Sequence, residues 1–107
     1  MKVLSGSVEG VEAKDLRTLA DTLRDKLGSG ALFLASVAGD QAALVCTVTK
    51  DLAGKKLHAG NLLRDVTARV GAKGSGRPDM AQGGLKETSK VPELVEAFYE
   101  EVAKALG

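Results

Sequence analysis

The sequence predicts an α+β fold, a two-layer sandwich in which a small mixed β-sheet is covered by about three helices. Three observations predict it. A short β-prone stretch precedes an amphipathic helical repeat, two β-prone runs flank a Gly-Asp turn, and two further segments carry apolar residues at helical spacing. With 107 residues, 44% hydrophobic and 27% charged, the chain has the size and mixture of one globular domain, expected over residues 1–107.

Val3, Leu4 and Val8, interrupted by Ser5, Gly6 and Ser7, read as a first strand, with Gly6 marking a bulge or a close backbone approach. From Ala13 to Leu27, Leu16, Leu19, Ala20, Leu23 and Leu27 recur three and four apart. Asp15, Arg17, Asp21, Arg24 and Asp25 fall on the other faces, so this segment is an amphipathic helix, and Gly28 ends it. Ala31–Val37 and Ala42–Thr49 are strands joined through Gly39-Asp40, a pair suited to a tight hairpin turn. Within the second, Leu44, Cys46 and Val48 share one face, which places Cys46 inward as a small hydrophobe. Ala59, Leu62, Leu63, Val66 and Val70 repeat as a second helix stopped by Gly71. A last helix starts near Pro92, with Leu94, Val95, Phe98, Val102, Ala105 and Leu106 as its buried stripe.

The longest apolar stretch, Ala31 to Ala38, is too short to cross a membrane as a helix, and the N-terminus lacks a signal-peptide pattern, so a cytoplasmic chain is expected. Cys46 is the lone cysteine and forms no internal disulfide, in keeping with a reducing compartment. With one His and one Cys, no metal site, cofactor or catalytic constellation is expected. The net charge is +1, but its distribution is uneven. Lys50, Lys55, Lys56, Arg64, Arg69, Lys73 and Arg77 face only Asp51 and Asp65 across the middle of the chain, whereas Glu93, Glu96, Glu100 and Glu101 crowd the last helix. A polyanion would meet the middle; segregated solvated faces are the bland alternative.

Between the second and third helices lies GAKGSGRPDMAQGG, Gly71 to Gly84, read as a loop with five glycines in fourteen residues. Glycine at this density suits sharp turns or close approach of another chain to the backbone. Lys73 and Arg77 add fixed positive charge beside backbone amides, a workable cradle for phosphate. The segment lacks the order G-x-x-x-x-G-K-[ST] of a nucleotide P-loop. It follows a helix where a dinucleotide fingerprint would follow a strand, which argues against nucleotide hydrolysis. Gly71-Ala72-Lys73-Gly74 matches the GXXG of KH domains only loosely, because Arg77-Pro78 falls where the next helix should be under way.

The same run closely resembles the GGKGGGRPDMAQ-type signature of the DHH-associated domain at the C-terminus of alanyl-tRNA synthetases. Val48-Thr49-Lys50-Asp51-Leu52 and His58-Ala59-Gly60 also look like that family. Ala72 and Ser75 depart from it, standing where glycine is usual. The resemblance implies a non-catalytic module that contacts the tRNA elbow and supports aminoacylation and editing by the rest of an alanine-tRNA ligase. Its partners would be tRNA and the remaining synthetase domains, and the isolated domain would be monomeric. Lys73, Gly74, Ser75, Gly76 and Arg77 become the expected RNA contacts, with Lys50, Lys55, Lys56 and Arg64 as a basic rim. Met80 offers an apolar surface and Gln82 an amide. Pro78 and Asp79 shape the loop, and His58 is expected as a cap or surface residue. Phe33 and Phe98 fit buried stripes, so stacking platforms of the kind used by single-strand binders are missing and recognition should lean on backbone and shape. Two other readings remain: a protein-docking domain within a synthetase, and a domain binding single-stranded or duplex DNA through the same basic segment.

Overall fold

The computed structural model describes residues 2–106; of Lys73 and Ser75 it describes the backbone alone. Strand β1 (Lys2–Glu9) is followed by helix α1 (Ala13–Leu27), the hairpin β2 (Gly30–Ala38) and β3 (Gln41–Val48), and helix α2 (Ala59–Ala68). A second hairpin, β4 (Lys73–Gly76) and β5 (Met80–Leu85), then leads through a 3-10 turn, Thr88–Lys90, into helix α3 (Val91–Leu106). The five strands form one mixed sheet in the order β1-β2-β3-β5-β4. β1 runs parallel to β2, as the crossover through α1 requires, and every other pairing is antiparallel.

The α+β class and the mixed sheet with three helices stand as the sequence predicts, and α1 begins and ends where its repeat does. The layering differs. Leu16 and Ala20 of α1 pack with Leu32, Leu34 and Val45 on one face of the sheet. Leu62, Leu63 and Val66 of α2 and Leu94, Phe98 and Val102 of α3 pack with Phe33, Leu44 and Cys46 on the other. The sheet is therefore the middle of three layers, not one of two. The reason lies in β2 and β3: both faces are buried along most of their length, and each needs its own helical cover. Phe33 stacks on Phe98 at 5.6 Å between centroids, inside the larger core.

Two local expectations are corrected. β1 pairs with β2 without interruption from Lys2 to Glu9, and the space beside Gly6 is open, so Gly6 marks neither a bulge nor a close approach. The segment Gly71–Gly84 is not a loop. Most of it is the β4–β5 hairpin, with β5 inserted between β3 and β4. Glycine has little intrinsic strand preference, and pairing with β3 overrides it. Ala81 and Leu85 alternate into the larger core, while Met80 and Gln82 take the opposite face, opposite Thr47 and Val45 of β3.

Candidate functional site

The hairpin tip is held by its own chain. The Arg77 amide donates to the Met80 carbonyl at 2.7 Å and closes the turn around Pro78 and Asp79. The carbonyls of Pro78 and Arg77 accept from the amides of Ala59 and Gly60, at 2.8 and 3.1 Å, and the Asn61 amide donates to Nδ1 of His58 at 3.1 Å. His58 is thus the N-cap of α2. The first amides of that helix, which would otherwise attract an anion, are already satisfied.

The glycines answer to the same packing. A Cβ on Gly76 would stand 2.4 Å from Cα of Ala81, and one on Gly74 would stand 2.6 Å from Cγ of Leu63 on α2. A Cβ on Gly60 would meet the Gly76 carbonyl at 2.5 Å. These glycines let β4 lie flat against β5 and α2, so the physical need read from them at sequence level, close approach to a partner, is met inside the molecule. The residues outside the hairpin that share the family likeness act similarly. Asp51 accepts from the hydroxyls of Ser29 and Thr49, both at 2.5 Å, and Thr49 Oγ1 accepts from the Gly30 amide at 3.0 Å, tying the start of β2 to the end of β3. Those two hydroxyl bonds hold the Asp51 carboxyl below the ordinary carboxylate range.

A cleft of about 400 Å³ lies between α1 and the hairpin. Met80, half-buried and packed on the α1 cluster, forms part of its floor with the exposed Gln82. One wall is the hairpin tip, with Arg77 exposed and Asp79 beside it; the other is the stripe Arg17, Asp21 and Arg24 of α1. Arg24 lies 3.6 Å from Asp21 and 3.8 Å from Asp25, whereas no ion pair engages Arg17 or Arg77 among the described residues. Arg17 and Arg24 were missed at sequence level as part of a solvated helix face. The signal that marks them is their spacing of seven residues with Asp21 between, a single stripe on a helix.

The remaining expected contacts divide. Lys50, exposed, lines a separate groove with Arg24, Asp25, Gly28 and Thr49, sharing only Arg24 with the cleft. Lys55 and Lys56, also exposed, line a groove with His58 and Asn61 on the far side of the tip, where a Cβ on Gly54 would sit 3.6 Å from Pro78. Arg64, on α2, keeps 65% of its side chain exposed, lies 3.6 Å from Asp65, and lines neither groove. Arg69, counted in the basic middle, is spent on the acidic helix. It bonds Glu100 at 2.6 Å and Glu101 at 2.9 Å, so the charge segregation partly cancels in three dimensions, and both carboxylates raise its pKa. The side chains of Lys73 and Ser75 lie outside the described residues. Among those residues no three His, Cys, Asp or Glu side chains gather as a metal site needs, and no helix is long and apolar enough to cross a membrane.

The family model described as the DHHA1 domain matches residues 1–104. The alanine-tRNA ligase of Magnetococcus marinus is 48% identical over 107 residues, and that of Clostridioides difficile 43% over 104, covering 100% and 97% of this chain. The chain spans only 12% of the length of each. The crystal structure of the C-Ala domain from Aquifex aeolicus alanyl-tRNA synthetase superposes with a TM-score of 0.84 at 37% identity, over 94% of this chain and 90% of that one.

Proposed function

The chain belongs to the DHHA1 domain family, and from that premise we propose that it is a non-catalytic tRNA-binding module of an alanine-tRNA ligase, engaging the tRNA elbow on behalf of domains that aminoacylate and edit. The observation that carries this reading is the gathering of exposed cations at one end of the molecule. Arg77 at the hairpin tip joins Lys50, Lys55 and Lys56 of the segment between β3 and α2, whose Gly54 lies beside Pro78. Such a cluster, with no aromatic platform beside it, suits a folded polyanion recognised through its backbone. The likeness to a C-Ala domain supports the choice of tRNA, and the short span against relatives supports further synthetase domains as partners.

Titration of the chain with intact tRNA, a tRNA whose elbow pairing is disrupted, and a matched single-stranded DNA, each at two salt concentrations, tests the proposal. Intact tRNA should bind tightest, with affinity falling steeply as salt rises. Equal binding of all three ligands would replace tRNA recognition with general nucleic-acid binding, and salt-independent association would point to protein docking.

A further inference from the structure

We propose that the polyanion is held in the two-walled cleft between α1 and the β4–β5 hairpin, with Arg17 of α1 as a phosphate contact equal in rank to Arg77. This inference rests on the tRNA-binding reading above and assigns it a site. On the α1 side of the sheet, α1 packs over β2 and β3 and leaves the outward face of β5 open at Gln82. The cleft is the step between helix and bare strand. Arg17 and Arg24, two turns apart on α1, and Arg77 of the hairpin line the same cleft. Guanidinium groups on both walls fit a strand lying in the step with phosphates reaching to either side. Asp21 and Asp79 leave the cleft only mildly basic. A highly charged polyphosphate is therefore disfavoured against a backbone that carries one charge per nucleotide. Met80 and Gln82 beneath the strand supply an apolar surface and an amide for a base or sugar edge.

The test uses Arg17→Glu and the milder Arg17→Gln, with Arg77→Ala for the hairpin wall. Lys26→Glu serves as control: Lys26 is exposed, lies nine residues along α1 on its opposite side, and is absent from the cleft lining. Folding of each is checked by thermal melting, and tRNA binding is measured across a salt series. Arg17→Glu should weaken binding about tenfold or more, and Arg17→Gln should flatten the logarithmic salt slope by roughly 0.7–0.9. Lys26→Glu should shift affinity less than about twofold. If folded Arg17 variants bind with the wild-type affinity and slope while Arg77→Ala is weakened, the cleft is wrong and the tRNA reading survives. If Lys26→Glu matches Arg17→Glu, net charge and not a site is responsible, and the cleft is again overturned. If the wild-type chain does not bind tRNA, both readings fall together.

Discussion

Thr47 of β3 is fully buried, and its hydroxyl has no hydrogen-bond partner among the described residues. An unsatisfied buried hydroxyl costs free energy, so Thr47→Val, which keeps the β-branched shape, should leave stability unchanged or raise it by up to about 1 kcal/mol. A fall of the urea midpoint at unchanged m-value would show that the hydroxyl has a partner. Asp51 makes the opposite case, a surface carboxylate with two hydroxyl donors. Its pKa is lowered in the folded state from 3.8, so its contribution is complete above that value and is lost as pH falls through the lower folded one. The stability gap between wild type and Asp51→Asn should be constant near neutrality and shrink below about pH 4. A gap that stays constant down to pH 2 would mean that the two hydroxyl bonds do not favour the ionised form.

At the scale of elements, the same residue type has opposite worth in two strands. Gly76 has no room for a Cβ between the backbones of β4 and β5, so Gly76→Ala should cost about 2 kcal/mol or more by forcing the strands apart. Gly6 in β1 has open space and an ordinary strand conformation, and Gly6→Ala should stabilise by about 0.5 kcal/mol through loss of unfolded-state freedom. Chemical denaturation of the two variants checks the pair; equal effects would show that the hairpin packs more loosely than the distances state. The contrast bears on function too. Lost tRNA binding in a Gly74 or Gly76 variant would report a displaced hairpin, so Arg17 and Arg77, both exposed, are the cleaner probes.

Across the whole molecule, Cys46 reports global opening. It lies in β3 with 0% exposure, and burial raises its thiol pKa. Labelling by a thiol reagent at neutral pH should therefore be slow and should track the free energy of unfolding, accelerating in Gly76→Ala and slowing in Gly6→Ala. Labelling of the native protein as fast as of urea-unfolded protein would put the inward register of β3 in error.

The elements whose physics is local were legible in the sequence: α1 from its apolar repeat and Gly28, the β2–β3 hairpin from Gly39-Asp40, the inward face of Cys46 from alternation, and His58 as a cap from its position before a helical run. The RPDMAQ run carried the family, because a specific string needs no geometry to be read. Tertiary structure decided what depends on neighbours far along the chain. It made strands of Lys73–Gly76 and Met80–Leu85 by pairing them with one another and with β3, against the low strand preference of glycine. It set helices on both faces of the sheet, since burial on two sides is a property of where β2 and β3 sit and not of either run alone. It spent Arg69 on Glu100 and Glu101, and it brought Arg17 to within one cleft of Arg77 across sixty residues of chain. Charge is additive along a sequence, but the field that a partner meets depends on which charges already have an opposite neighbour, and only the fold determines that.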